Sequence, residues 1–430
     1  MAKVDRAVPT TRLGRLARLA SAGLRASTSL GEREVTAAAE HAAEVLGTLR
    51  GLASKVGQMA SYVDGVVPEA QRGPYETAMK GLLAATPASN PAEVRHLVED
   101  ELGAPLDRLF LTFDVTPFAS ASIGQVHRAV IATGDGEREV AVKVQHPGIA
   151  RALHADLANA SLLQPMFGSL IGRRFKMKEQ LEVVRQRFTE ELDYGLEAER
   201  LSMFAGFHEG DQEIRLPRVH PQRTARRVLT TDLMHGATFD EACRAPESDR
   251  RRWAETLWRF VFKGNLVHGH FNADPHPGNY LFCPAGTVVF LDFGCVQPIE
   301  AANLHCARAL HRAAMALDER AFADAVIRLL AAPPGALQRK AIGFMRRCFE
   351  PLFHRPYRMT RAYVSSIVDE LRSLAADARR ADDVEFFALP ADMLFMNRLQ
   401  FGFYSVLARL DVEVDYSAIE RRFWPEVEAL

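Results

Sequence analysis

No apolar run in this 430-residue chain approaches the roughly eighteen residues that a membrane-spanning helix needs. A transmembrane helix is therefore not expected. Excess charge is also lacking. The formal net charge is −1, which removes any global argument for nucleic acid or for a strongly acidic partner. Cysteine is sparse: Cys243, Cys283, Cys295, Cys306 and Cys348, with no C-x-x-C pair and no regular spacing. That pattern fits reduced thiols, and hence a cytoplasmic location, better than a disulfide frame or a zinc site. What remains is ordinary for a globular chain, 48% hydrophobic and 25% charged, and long enough for two lobes or domains.

One stretch stands out. His270-Phe271-Asn272-Ala273-Asp274-Pro275-His276-Pro277-Gly278-Asn279 is followed by Leu291-Asp292-Phe293-Gly294. Between them, Tyr280-Leu281-Phe282 and Val288-Val289-Phe290-Leu291 read as two short strands around a turn at Pro284-Ala285-Gly286. Such a hairpin brings Asn279 close to Asp292. Phosphoryl transfer needs a carboxylate near the attacking oxygen and oxygen ligands that hold Mg²⁺ against nucleotide phosphates. Asp274 suits the first role, and Asn279 and Asp292 suit the second. D-F-G alone is a weak signal, but D-x-x-x-x-N joined to it is much stronger. The bland alternative is a surface loop whose Asp and Asn merely cap turns.

The other half of such a site lies upstream. Ala119-Ser120-Ala121-Ser122-Ile123-Gly124 is a small-residue loop. A strand over about 126–131, a turn at 133–136 and a return strand over 139–145 follow it. Lys143, in Val140-Ala141-Val142-Lys143, lies on the return strand, where it would reach phosphates that the loop covers. A lone strand lysine is usually a solvated edge residue. Its position between the loop and the Asp274–Asp292 segment favours the functional reading. An acidic partner for Lys143 is expected from the helical region at about 150–205, and Glu191 is the candidate there. Val228 to Gly236 reads as an apolar strand ending at glycine, a hinge whose backbone around Asp232 and Met234 would pair with adenine. After Gly294 there is no Ala-Pro-Glu and no long segment of the kind that docks a peptide substrate. Helix-forming sequence begins near Glu300 instead. A small molecule, a lipid or water is therefore the expected acceptor.

The N-terminal part has its own features. Residues 33–63 carry apolar side chains at helical spacing, and Lys55 and Gln58, three apart, share a face. Further helices are expected over 69–84 and, after Ser89-Asn90-Pro91, over 91–102. In the first thirty residues Lys3, Arg6, Arg12, Arg15, Arg18 and Arg25 face only Asp5, with leucines between them. This composition suits a basic amphipathic helix on an anionic membrane surface, and also a transit peptide or a solvated arm.

Together these motifs resemble the UbiB/AarF/ADCK family of atypical, protein-kinase-like proteins over roughly residues 45–410. Lys55-Val56-Gly57-Gln58 resembles the family's K-x-G-Q signature. Ala119 to Gln125 resembles the alanine-rich loop that stands in for a glycine-rich one, and Glu191-Leu192-Asp193 resembles its E-x-D. Asp274 to Asn279 and Asp292-Phe293-Gly294 resemble its catalytic and metal motifs, and Asn397-Arg398-Leu399 with Gly402-Phe403-Tyr404 a late family segment. The resemblance implies an α+β, two-lobed kinase-like fold with extra N-terminal helices and a mostly helical C-terminal lobe. The expected divisions are a basic arm over 1–32 and a helical extension carrying K-x-G-Q over 33–105. A nucleotide-binding lobe with inserted helices follows over 106–236, then the helical lobe over 237–430. The resemblance implies ATP and Mg²⁺ as cofactors. It implies regulatory roles for Lys55, Gly57, Gln58 and Asp193, and a place in ubiquinone or other isoprenoid-lipid metabolism. The expected setting is the cytoplasm, with peripheral contact at the inner face of a membrane. There are departures: Ser120 and Ser122 sit among the loop alanines, and Asn272 stands where the family has a histidine. Two other readings stay open. One is a nucleotide-binding regulator with negligible turnover; the other is a phosphotransferase of the aminoglycoside or choline kinase type, against which the Lys55–Gln58 helix speaks.

Overall fold

A computed structural model describes residues 88–120, 123–151, 153, 186, 189–380 and 393–429. The basic arm, the helices expected at 33–63 and 69–84 with Lys55, Gly57 and Gln58, and Ala121 and Ser122 of the loop lie outside the described residues.

Helix α1 (Pro91–Leu102) begins where its start signal puts it: Asn90 Oδ1 accepts the Ala92 N–H at 2.9 Å. Pro91 fits the first turn because an N–H there needs no helical partner. The helix stops at Gly103, whose φ of 69° favours glycine. A short helix, α2 (Leu106–Leu109), follows. Four strands come next: β1 (Thr112–Phe113), β2 (Ala119–Ser120), β3 (Gly124–Thr133) and β4 (Gly136–Gln145). Strands β3 and β4 pair from Gly124↔Gln145 to Thr133↔Gly136, so the expected hairpin runs further at both ends than its apolar alternation indicates. Helix α3 (Tyr194–Phe207), strand β5 (Ile214–Arg215) and strand β6 (Val228–Asp232) continue the chain. The first sheet has the order β1-β3-β4-β6, with β2 also on β3.

Alternation along β4 decides where its lysine goes. Val140, Val142 and Val144 are fully buried on one face, packed with Val94, Leu97, Val98, Leu106 and Leu109 of α1 and α2. Each buried valine contributes about 1.5–3 kcal/mol relative to exposure. Side chains alternate across a strand, so Lys143 projects from the opposite face.

The rest of the chain is mainly helical. Helices α4 (Phe239–Ala242) and α5 (Glu247–Leu266) lead into β7 (His270–Asn272), β8 (Tyr280–Phe282), β9 (Val288–Phe290) and β10 (Val296–Pro298). Strands β8 and β9 form the expected antiparallel hairpin around Pro284–Gly286, while β7 pairs with β10. Helices α6 (Ala301–Ala316), α7 (Glu319–Leu330), α8 (Ala336–Cys348) and α9 (Glu350–Phe353) follow. Strand β11 (Tyr357–Arg358), α10 (Arg361–Arg380), α11 (Met393–Leu410), β12 (Glu413–Val414) and α12 (Tyr416–Glu428) complete the order. The helices expected from about Glu300 onward are present, and Pro333-Pro334-Gly335 separates α7 from α8. Helix α5 is the centre of this core. Phe260 stacks on Phe290 at 3.6 Å, and Trp258 packs on Tyr416 at 4.2 Å. Among the described residues no helix is long and apolar enough to cross a membrane.

Candidate active site

Lys143 is met by two carboxylates. Its Nζ donates to Glu197 Oε1 and Oε2 at 2.8 and 3.0 Å and to Asp292 Oδ2 at 3.1 Å. Glu197 stands on the first turn of α3. That helix starts at Asp193, whose carboxylate accepts the Gly195 and Leu196 N–H groups at 3.0 and 3.3 Å. The expectation for Glu191 is therefore corrected: the acid that meets Lys143 is Glu197, six residues on. The reason is local. Leu192 N–H and Asp193 N–H bond back to Thr189 and Glu190 carbonyls, so residues 189–193 form a turn before the helix. Glu191 is buried in that turn, with its Cγ 4.0 Å from where a Cβ on Gly294 would lie. Asp193, expected in a regulatory role, caps the helix that carries Glu197.

Burial and charge pull the cluster's proton affinities apart. Burial opposes the Lys143 charge, but Asp292 and Glu197 outweigh it and hold the ammonium well above its ordinary value. Burial pushes Glu197 up to about 7; Lys143 opposes this and Asp292 adds to it. One ammonium thus serves two carboxylates.

The Asp274–Asp292 segment is fixed by backbone bonds. The hairpin ends with Leu291 N–H on Asn279 O at 3.0 Å, which sets Asn279 beside Asp292 as expected. Asn279 Nδ2 donates to Asp274 O at 3.1 Å, which leaves its amide oxygen for another partner. Asp292 Oδ1 accepts the Gly294 N–H at 2.9 Å. Phe293 is wholly buried and packs on Phe204 at 5.1 Å, which ties the direction of Asp292 to α3. Asn272, in the place of the family's histidine, bridges the two ends of the segment. Its Nδ2 donates to Asp292 O at 2.6 Å, and its Oδ1 accepts the Asp274 N–H at 3.1 Å. An amide can donate and accept at once, so the loop is held without a ring.

Three further placements matter. Ala119 and Ser120 form β2, paired with Val126 and Gln125 of β3. The Asp232 carboxylate is engaged by His220 at 2.8 Å and Arg138 at 3.3 Å, so its side chain faces protein rather than a ligand. Met234 lies on the connection from β6 to Ala237, which bridges to Phe282 of β8. Sequence reasoning missed Arg200 altogether. Its guanidinium donates to Gly294 O at 3.0 Å and to Glu190 at 2.5 Å, joining α3 to the segment after Asp292. Only its spacing of three residues from Glu197 hinted at it.

Asn279 and Asp292 offer an amide oxygen and a carboxylate, the hard oxygen donors that suit Mg²⁺. Asp292 is paired with the Lys143 ammonium at 3.1 Å, so a metal there would share its carboxylate with that ammonium. The arrangement is a cationic anchor, a pair of metal-type oxygens and a carboxylate, Asp274, on one short loop.

The ABC1 atypical kinase-like domain matches residues 81–326, more than half of the chain. The chain thus belongs to the UbiB/AarF/ADCK family of atypical kinase-like proteins. An uncharacterized protein of Mycobacterium tuberculosis is 34% identical over 284 residues, 65% of this chain and 57% of that protein. Atypical kinase COQ8B of Danio rerio is 28% identical over 260 residues, 60% of this chain and 40% of its own length. The chain spans about two-fifths to three-fifths of such relatives. The solved structure of Rv3197 with erythromycin, from Mycobacterium tuberculosis, superposes with a TM-score of 0.60 at 27% identity. That match covers 88% of this chain and 93% of the other.

Proposed function

We propose that the protein binds ATP with Mg²⁺ between two lobes, the β1–β6 sheet and the helical body, and consumes it as an atypical kinase or ATPase. The observation that carries this reading is the meeting of Lys143, Glu197 and Asp292 within 3.1 Å, with Asn279 beside them. Lys143 would hold nucleotide phosphates, and Glu197 would hold Lys143. Asn279 and Asp292 would hold the metal, which would neutralise phosphate charge and orient the phosphoryl group. Asp274 would accept the acceptor's proton on its carboxylate. The backbone around Met234 would face the adenine. Ala119, Ser120, Ala121 and Ser122 would lie over the phosphates, and Lys55, Gly57, Gln58 and Asp193 would govern access. An isoprenoid lipid or another small hydroxyl compound, rather than a protein side chain, is the acceptor we favour, in support of ubiquinone or related lipid metabolism. The erythromycin bound by the mycobacterial neighbour places that compound among those worth testing.

The charge cluster makes a testable link to pH. Burial is the main cause of the raised Glu197 pKa and Asp292 adds to it; a metal on Asp292 would offset that added part, so Glu197 should give up part of its proton to the solvent near neutral pH. Magnesium-nucleotide affinity should therefore rise with pH up to about 7 and level off above it. Calorimetric titration at pH 6.5 in two buffers of different ionisation enthalpy reads the released proton. A measurable heat difference between the buffers supports the reading. Nucleotide binding with no magnesium dependence, or no binding, contradicts it.

A further inference from the structure

Tyr194 lies inside this cluster without an assigned task. It is the first residue of α3, its exposure is 1%, and its ring centroid lies 5.0 Å from Lys143 Nζ. Its hydroxyl is buried and has no hydrogen-bond partner among the described residues. The fold makes room for it. A Cβ on Gly124 would lie 2.6 Å from the hydroxyl oxygen and 2.5 Å from Val144 O, so only glycine fits at the start of β3. Burying a donor without an acceptor is unfavourable, and a phenylalanine would fill the same space without that cost. Burial, opposed only in part by Lys143, raises the phenol's pKa, so the group keeps its proton and remains a donor. A buried donor beside a cation complements an anion rich in oxygens better than it complements a carbon skeleton.

We propose that the Tyr194 hydroxyl is a phosphate-binding group: it donates a hydrogen bond to a phosphate oxygen of the nucleotide held by Lys143, whose ammonium lies over the same ring. The inference rests on the reading of the site as a magnesium-nucleotide site. It goes further in assigning recognition of the phosphate, rather than the nucleoside, to a residue outside the kinase-type motifs.

Tyr194→Phe tests it on the full chain. The probes are the magnesium complex of a non-hydrolysable ATP analogue and, separately, adenosine. The variant should melt without ligand at or above the wild-type temperature, because the unsatisfied hydroxyl is gone. Its affinity for the magnesium analogue should fall about tenfold, while its affinity for adenosine stays within about twofold of wild type. Analogue binding within about twofold of wild type overturns the proposal, as does an equal loss for both probes. Should wild type bind adenosine but not the analogue, or neither, the site reading fails first and this one falls with it. If the variant does not fold, fluorotyrosine incorporated into the wild-type chain reads the same hydroxyl. A ¹⁹F resonance that moves on titration with the magnesium analogue but not with adenosine sustains the proposal, and an unmoved spectrum refutes it.

Discussion

Lys143→Ala should destabilise the protein by about 3–5 kcal/mol near pH 8, the range for removing one partner of a buried ion pair. The lysine side chain is 16% exposed and that of Glu197 5%, so solvent screens the pair little. Without the ammonium, two carboxylates face each other with no cation between them. The sign of the pH effect follows. Glu197 is pushed up to about 7 by burial even with Lys143 present, and it should rise further without it. A group with a raised folded pKa adds no penalty below its unfolded value and an increasing one as pH rises through the folded value. The deficit of the variant should therefore shrink as pH falls from 8 towards 5. Urea denaturation at the two ends checks it. A deficit of the same size at both would mean that charge is not its cause.

Glu197→Gln should lower ATP turnover about a hundredfold, a loss typical of a misplaced catalytic group. Glu191→Gln should lower it less than about tenfold, because Glu191 is not the acid that holds Lys143. The contrast depends on position. Glu197 reaches Lys143 from the first turn of a helix capped by Asp193, whereas Glu191 sits in the preceding turn. Turnover is measured with folding followed by circular dichroism, so that a stability loss is not read as a catalytic one. The reverse order of effects would restore Glu191 as the partner of Lys143.

The two carboxylates also show what the sequence made legible. Asp274, Asn279 and Asp292 could be read because a short hairpin with a clear turn signal joins them, so local pattern alone sets their proximity. Lys143 could be read because alternation along β4 fixes which face its side chain takes. The start of α1 was equally plain from Asn90 and Pro91. The partner of Lys143 was not, because it depends on how a helix far along the chain packs against a sheet. Even so, a signal was present. Reading Asp193 as the N-cap, as its bonds to Gly195 and Leu196 show, makes Glu197 the first acid on the helix. Asn272 was legible only as a departure. Its bond to the Asp274 N–H is a local turn contact, but its bond to Asp292 O, twenty residues on, is one that no local pattern announces. The hinge reading of Asp232 concerns its backbone; its carboxylate, which no local pattern places, is engaged by His220 and Arg138 from elsewhere in the fold.

The central claim is that Asp292 holds a magnesium ion against nucleotide phosphates, and the most direct measurement is the magnesium dependence of ATP-analogue binding in wild type and in Asp292→Asn. The substitution keeps shape and removes the charge that offsets the cation. Wild type should bind the analogue at least about tenfold more tightly with magnesium than without it. Asp292→Asn should fold and show no such gain. An equal magnesium-dependent gain in both would contradict the account.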